Sequence, residues 1–211
     1  RRSVLTPGTP AMPFVRSAAE DAYDRLIASS VEREIRNMLT EQADEGAIRM
    51  FGLNLKPLLM RPPVKGFVTM GLDPGYRNGC KVAVVDGTGK VLDTAVVYPT
   101  FSERKKQEAI DVLARLIKKH GVAHIAIGNG TASRETEQMA VALIQAVGGG
   151  VSYMIVSEAG ASVYSASKLA AEEFPDYDVN LRSAVSIARR LQDPLAELVK
   201  ICLLYTSPSP R

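Results

Sequence analysis

The sequence predicts an α/β protein in which a helical arm precedes a mixed five-stranded sheet with flanking helices. Three short apolar segments follow one another between residues 66 and 98, and amphipathic helices then alternate with short apolar strands. Before Pro63, apolar residues recur with a helical period instead. The 211 residues, 46% hydrophobic and 23% charged, are enough for one globular domain and an arm.

Both ends of the chain are expected to lie outside this fold. Residues 1–16 are predicted to be an extended lead-in, because their first 13 residues contain three prolines and few apolar anchors. Residues 202–211 end in Ser-Pro-Ser-Pro-Arg and are similar to a translated sequencing-library adaptor. We therefore expect residues 202–211 not to be native. The start on Arg1 rather than Met predicts a processed chain or a fragment.

Residues 17–63 are predicted to form the helical arm. A helix starting near Ser17 is followed by a second helix that Ser30 can cap and that continues to about Phe51. A short helix over residues 53–59 follows, and the Pro-Pro pair ending at Pro63 stops it. The arm is too small to bury its own apolar residues, so we expect it to pack on another part of a parent protein.

Residues 64–201 are predicted to form the α/β domain, with three strands in succession and a hairpin turn at residues 86–89. The predicted strands lie at residues 66–72, 80–85, 91–98, 123–127 and 152–156. The predicted helices lie at residues 102–120, 133–147, 161–174, 182–190 and 194–201. This order of elements is similar to that of the ribonuclease-H-like (RNase H-like) fold.

Asp73 is the first candidate site residue. It ends the first apolar strand within Gly-Leu-Asp-Pro-Gly, beside a glycine turn. Polynucleotidyl transferases and actin-like sugar kinases hold a divalent metal ion or a phosphate with a carboxylate in this position. The alternative is a plain Asp-Pro-Gly turn in which Asp73 bonds its own backbone.

Glu158 is the second candidate, because it follows the fifth strand and is expected to lie near the end of the first. Asp73 and Glu158 could then converge on one cation, Mg²⁺ or Mn²⁺. The alternative is that Glu158 binds loop N–H groups or starts the next helix. The two histidines, His120 and His124, straddle a helix-to-strand junction, which makes a zinc site improbable.

Three cations are candidate contacts to nucleic acid: Arg77, Lys81 and Arg134. Arg134 follows the glycine loop Gly-Asn-Gly-Thr and enters a helix, where backbone N–H groups can hold a phosphate. Ser133 as a plain helix N-cap explains much of the same pattern. For all three cations the alternative is solvated surface charge.

Four sequence blocks are more specific together than any single motif. They lie in this order: KGFVTMGLDPGYR (residues 65–77), IGNGTASRETE (127–137), EAGASVYS (158–165) and RRLQDPLAE (189–197). Together they resemble the Tex family of bacterial transcription accessory proteins, in its YqgF-type, RNase H-like domain. The arm is also similar to the Tex segment before that domain, so the resemblance covers most of residues 17–201.

The resemblance implies a cytoplasmic, RNA-binding protein linked to transcription. In that family, helix-hairpin-helix modules and an OB-fold RNA-binding domain follow the YqgF-type domain. The implied partners are therefore RNA or DNA, those further domains and the transcription machinery, and no membrane. Because this chain carries a net charge of only +3, we expect its strongest nucleic-acid-binding surface to lie in the parts not included here.

The resemblance also predicts that nuclease activity is degenerate or absent. Related resolvases place acids after the first strand, near a later strand end and in the closing helix, where this chain has Arg182 and Ser183. Because the metal ions of such a site need that acid as a ligand, we expect this chain to require no cofactor. The first rival is an active Mg²⁺- or Mn²⁺-dependent nuclease in which Asp178 or Asp193 replaces the missing acid. The second rival is one half of an actin-like phosphotransferase.

Overall fold

The structure, a computed structural model, describes residues 8–201. The adaptor-like tail at residues 202–211 and the first seven residues of the predicted lead-in lie outside the described residues. The contacts divide the chain into two compact units, Arg1–Lys56 and Pro57–Arg211. The division falls a few residues before the boundary predicted at Pro63.

The arm is helical from Met12, so its first helix starts within the predicted lead-in. Helix α1 (Met12–Ala22) continues through a π-helical segment (Tyr23–Ala28) into α2 (Ser29–Leu59). Ser30, predicted to cap the second helix, lies inside α2 instead. The preceding Ser29 hydroxyl donates back to the Arg25 carbonyl at 2.8 Å, as a serine within a continuous helix does. Among residues 8–201, no helix has both the length and the apolar character needed to cross a membrane.

The apolar side chains of the arm lie exposed within its own unit. They include Leu26, Ile35, Met38, Leu39, Ile48 and Phe51. None of the residues of α1 or α2 is buried. The expectation that another part of a longer protein covers this surface stays a prediction.

The second unit contains a five-stranded mixed sheet, which confirms the predicted fold class. Its strands are β1 (Thr69–Asp73), β2 (Cys80–Val85), β3 (Val91–Val97), β4 (His124–Gly128) and β5 (Ser152–Val156). They are ordered β3-β2-β1-β4-β5. β1, β2 and β3 form an antiparallel meander, and β4 and β5 extend it in parallel with β1.

Six helices flank the strands in this unit: α3 (Glu103–His120), α4 (Ser133–Val147), α5 (Ala161–Ser165), α6 (Lys168–Glu173), α7 (Val179–Gln192) and α8 (Pro194–Leu198). The single helix predicted at residues 161–174 is two helices, because the Ser167 hydroxyl accepts from the Ala170 N–H and starts α6. Helix α7 begins earlier than predicted, because Asp178 caps it by accepting from the Leu181 N–H at 2.7 Å.

Alternation along the strands gives the sheet two different faces. Met70 and Leu72 of β1 belong to a large apolar core with α3 and α4. Gly71 lies on the opposite face, where α7 covers the sheet. Ala83 and Ala126 lie on this face too, packed with residues of α7.

Small residues bring the α7 backbone directly onto the centre of the sheet. A Cβ atom on Gly71 would lie 2.7 Å from the Ala188 nitrogen and 2.8 Å from the Ala188 Cβ, and it would overlap the Ala184 carbonyl oxygen. This close contact between the two backbones fixes the position of α7 along β1. The first half of α7 consequently lies over the end of β1, where Asp73 is located.

The closing block RRLQDPLAE ties several loops to α7. The Gln192 amide donates to the carbonyls of Phe67 at 2.9 Å and Asp86 at 2.7 Å. The Arg189 Nε donates to the Gly89 carbonyl at 2.7 Å. Much of the sequence resemblance in this block therefore reflects residues that hold the scaffold together.

Candidate functional site

The ends of β1 and β5 bring Asp73 and Glu158 together, as expected from the similarity of the element order to an RNase H-like sheet. Asp73 lies two residues after Gly71 and thus on the same face of the sheet, below the start of α7. Both carboxylates line one pocket of about 180 Å³. The rest of its lining comes from Ala161, Ser162, Ser165, Val179, Asn180 and Ser183.

The surroundings of the Asp73 carboxyl in this pocket disfavour its ionised form. The pKa of Asp73 is raised to about 6; burial is the largest cause, and the nearby negative charge of Glu158 contributes to the same shift. The side chains of Ser183 and Lys81 act in the opposite direction and lower that pKa. The pocket therefore disfavours the ionised form of Asp73.

Lys81 is buried, which differs from the exposed phosphate contact expected from the sequence. It pairs with Asp73 across β1 and β2, and its ammonium donates to the Asn78 carbonyl at 2.7 Å and the Gly79 carbonyl at 3.2 Å. These bonds hold the loop after Asp73 closed. Lys81 thus supports the acidic pocket and is not available to a ligand at the surface.

Glu158 fills the space above the glycine loop that the sequence suggested as a phosphate cradle. A Cβ on Gly128 would lie 2.7 Å from Glu158 Oε2, and a Cβ on Gly130 would overlap the same carboxylate. The Asn129 side chain accepts from the Glu158 N–H at 2.9 Å and fixes the turn. Because a carboxylate occupies this place, a phosphate there would meet like charge.

The start of α4 also differs from the expected serine cap. Ser133 is the first helical residue, and the preceding Ala132 has a left-handed backbone with φ 64° and no capping side chain. Ala132 is the only non-glycine residue with positive φ among residues 8–201. Such backbone strain is held by its surroundings and is common beside functional sites.

Arg190 is a residue of the site that sequence reasoning missed. Its buried guanidinium donates from Nη1 to the carbonyls of Ser157 at 2.7 Å and Ala159 at 2.8 Å, on either side of Glu158. Burial lowers the pKa of Arg190, and the charges of Glu197 and Glu158 counteract it. The signal in the sequence was the Arg-Arg pair of the closing block. Its first arginine, Arg189, binds the Gly89 loop, and its second, Arg190, is buried.

Ser183 takes the place at which an acid of the closing helix was expected. It lines the pocket beside Asp73, whereas the Arg182 guanidinium donates to the Phe174 carbonyl at 3.1 Å and the Ser165 carbonyl at 3.4 Å. The expectation that Arg182 repels a cation in the pocket is therefore corrected. At the position where a third carboxylate was expected, the pocket is therefore lined by a neutral hydroxyl rather than by a positive charge.

The two acids suggested as replacements are used elsewhere. Asp178 caps α7, and Asp193 caps α8 by accepting from the Ala196 N–H at 3.2 Å, while it pairs with Lys65 at 2.7 Å. Neither residue lines the pocket. Asp193 follows Ser183 by ten helical positions, roughly 15 Å along the axis.

The donors around Asp73 and Glu158 do not fit a two-metal catalytic centre. Within residues 8–201, no three or more His, Cys, Asp or Glu side chains are grouped so that they could hold a metal ion. Two-metal phosphoryl chemistry needs enough carboxylates to hold both ions and to align the attacking water. Two carboxylates and one serine hydroxyl are too few ligands to hold two Mg²⁺ or Mn²⁺ ions.

Arg77 and Arg134 are exposed on two neighbouring segments. The Tyr76 hydroxyl donates to Glu135 Oε1 at 2.9 Å, which joins the loop after β1 to the first turn of α4. Arg77 follows Tyr76, and Arg134 precedes Glu135. The two arginines thus border the same side of the domain, and their contact with nucleic acid stays a prediction.

Comparison with known proteins places this chain among a defined set of relatives. Residues 67–192, more than half of the chain, match the family described as "Tex protein YqgF-like domain". The transcriptional accessory protein Tex of Neisseria gonorrhoeae is 59% identical over 189 residues, 89% of this chain and 24% of that protein. YdcI of Bacillus subtilis is 54% identical over 201 residues, 95% of this chain and 28% of that protein.

A human relative and a solved structure extend the comparison. The human S1 RNA-binding domain-containing protein 1 is 46% identical over 197 residues, 90% of this chain and 19% of that protein. The chain thus spans about a quarter of the length of the curated relatives it matches. Thermus thermophilus RuvC in complex with a Holliday junction substrate aligns with a TM-score of 0.46 and 12% identity, over 64% of this chain and 95% of that one.

Proposed function

The chain belongs to the Tex family through its YqgF-like domain, and from this we propose that the domain binds nucleic acid without cleaving it. The observation that carries the proposal is Ser183, which lies beside Asp73 where a nuclease needs a third carboxylate. The acidic pocket is on this view a vestigial catalytic site. Its remaining acids, Asp73 and Glu158, shape the loops around it.

The support for binding comes from the exposed cations next to the pocket. Arg77 and Arg134 are both exposed and can be reached by phosphates, and a net charge of +3 favours weak, salt-dependent contact. The name of the human relative specifies an RNA-binding domain, which is consistent with a nucleic-acid-binding parent protein. Tight binding is expected to need further domains, including the helix-hairpin-helix and OB-fold modules of the family.

We assign the parent protein an accessory role in transcription. The relative from Neisseria gonorrhoeae carries that description, and the chain is 59% identical to it over 189 residues. The work of the domain would then be to contact RNA or DNA in the cytoplasm, near the transcription machinery, while other domains supply most of the affinity.

Anisotropy of labelled DNA and RNA, titrated with the 211-residue chain at several salt concentrations, tests this function. We expect binding in EDTA, because phosphate contacts by arginine need no metal ion. Arg77→Ala and Arg134→Ala should each weaken binding by a similar factor for all sequences and reduce the salt slope by about 1. Arg115→Ala removes another exposed positive charge, from α3, and serves as the matched control.

The same preparation should leave branched, single-stranded and duplex substrates intact in Mg²⁺ or Mn²⁺. Cleavage that disappears in Asp73→Asn would contradict the non-catalytic assignment and favour the nuclease. Affinity that does not change with salt, or no retention of any nucleic acid, would contradict the binding role.

A further inference from the structure

A second cavity lies at the far end of α7 from the pocket of Asp73 and Glu158. Its volume is about 460 Å³, and it is bordered by the β2–β3 hairpin turn at residues 87–89, the end of α7 and α8. Within residues 8–201 the two cavities share no lining residue. A volume of this size is typical of sites that bind small molecules.

Three cationic side chains from separate segments line this cavity. Lys65 comes from the segment before β1, Arg189 from α7 and Lys200 from the residues after α8. Arg189 and Lys200 are partly buried, whereas Lys65 lies exposed at the edge. Because these residues are far apart in the sequence, only the folded domain brings their charges to one place.

Two of the acids in the same lining are bound inward by neutral hydroxyl groups. The Tyr164 hydroxyl donates to Glu173 Oε2, and the Ser186 hydroxyl donates to Glu197 Oε2 at 2.9 Å. Lys200 joins both carboxylates, at 3.3 Å from Glu173 Oε2 and 2.8 Å from Glu197 Oε1. The fold itself thus supplies these acids with hydrogen-bond donors.

The other two cations keep donors that the fold does not use. The Arg189 guanidinium donates from Nε to the Gly89 carbonyl and from Nη1 to Glu173, and within residues 8–201 its Nη2 has no protein acceptor. The Lys65 ammonium pairs with Asp193 at 2.7 Å, which engages one of its three N–H donors. A ligand in the cavity therefore meets N–H groups that lack acceptors.

We propose that this cavity binds a small anion that carries phosphate groups, with Arg189 Nη2 and the Lys65 ammonium as its contacts. A guanidinium and an ammonium together are well suited to phosphate oxygens, because the first fixes direction and the second supplies a point charge. Three acids balance the three cations of the lining, so we expect the affinity to be modest and to fall with salt. This binding site is independent of the proposed nucleic-acid contacts.

Isothermal titration calorimetry of the 211-residue chain with pyrophosphate, at low salt and without metal ions, tests the site. We expect saturable binding, and Lys65→Gln should weaken it about fivefold because it removes one charged contact. Lys119→Gln is the matched control: Lys119 is 65% exposed and pairs with Asp93 at 2.7 Å, and Lys65 is 64% exposed and pairs with Asp193 at the same distance. The control should bind pyrophosphate like the wild type.

Two further variants should change the affinity in opposite directions. Asp193→Asn should tighten pyrophosphate binding about threefold, because it frees Lys65 while asparagine can still cap α8. Arg189→Lys keeps the charge but removes Nη2, and it should weaken binding about tenfold. Arg189 also holds the hairpin, so thermal unfolding followed by circular dichroism checks that Arg189→Lys folds; Lys65→Gln tests the site at an exposed position.

The proposal is overturned if pyrophosphate gives no saturable binding, if Lys65→Gln binds it as tightly as the wild type, or if Asp193→Asn weakens binding. Labelled oligonucleotides, titrated into the wild type and Lys65→Gln, distinguish two sources of the phosphate. Unchanged oligonucleotide affinity assigns the cavity to a free anion, and a loss equal to that for pyrophosphate assigns it to the phosphates of nucleic acid. The proposed function is tested at Arg77 and Arg134, so its failure and the failure of this site are separate results.

Discussion

Gly71→Ala is expected to lower the free energy of unfolding of the domain by about 3 kcal/mol or more. The added methyl group would overlap the Ala184 carbonyl and lie 2.7 Å from the Ala188 nitrogen. Both neighbours are backbone atoms in the middle of a helix, so no change of side-chain rotamer relieves the collision. Helix α7 has to lift from the sheet, which opens the apolar contacts between Ala83, Val85 and Val185.

Urea unfolding followed by circular dichroism measures this loss. Gly46→Ala is a suitable control, because Gly46 lies in helix α2 with no atom near an added Cβ. That change should be neutral or stabilise its helix by up to about 1 kcal/mol. An unfolding midpoint for Gly71→Ala equal to that of the wild type would contradict the close contact between α7 and β1.

Asp73→Asn is expected to have the opposite effect and raise the free energy of unfolding at pH 7 by about 2 kcal/mol. Burial raises the pKa of the Asp73 carboxyl from 3.8 to about 6. The folded protein therefore binds a proton more tightly than the unfolded chain, and ionisation of Asp73 destabilises the fold as pH rises between these two values. Asparagine keeps the shape of the side chain and removes the charge.

The pH dependence makes this prediction specific. The gain should be full above pH 6 and vanish below about pH 4, where both folded and unfolded wild type carry the neutral acid. Asp176→Asn, at an exposed position, is the control and should leave stability unchanged at both pH values. A loss of stability for Asp73→Asn at pH 7 would mean that the carboxylate has a favourable native partner, and it would count against a vestigial site.

Local sequence patterns predicted the elements whose ends carry their own signals. Strands β2 and β5 and helix α4 have the predicted bounds, because turn residues or glycines flank an uninterrupted apolar period. Two other predictions were wrong at serines. Ser30, predicted as a helix cap, lies inside α2, where the preceding Ser29 bonds back to the Arg25 carbonyl, whereas Ser167 ends one helix and begins another. Only the surrounding chain decides which of these bonds a serine makes.

The site was predictable as far as strand order determines it. In an RNase H-like sheet the fifth strand ends near the end of the first, and from this Asp73 and Glu158 were expected to lie close together, as they do. The partners of the acids were not predictable, since they depend on the register of α7 against β1. That register makes Ser183 rather than Arg182 the neighbour of Asp73, and it lets Arg190 reach the loop of Glu158.

The Glu158 carboxylate lies against Gly128 and Gly130, so the residue at position 158 and the residues of this loop constrain each other's substitution. Any side chain at position 130 would occupy the volume of a full-length glutamate at position 158. A lineage that loses the glycine therefore has to shorten or redirect the acid, and a lineage that loses the acid is free to change the glycine. Among related sequences we expect these two positions to change together, so that their paired substitutions mark the chains in which the acid at position 158 no longer reaches this loop.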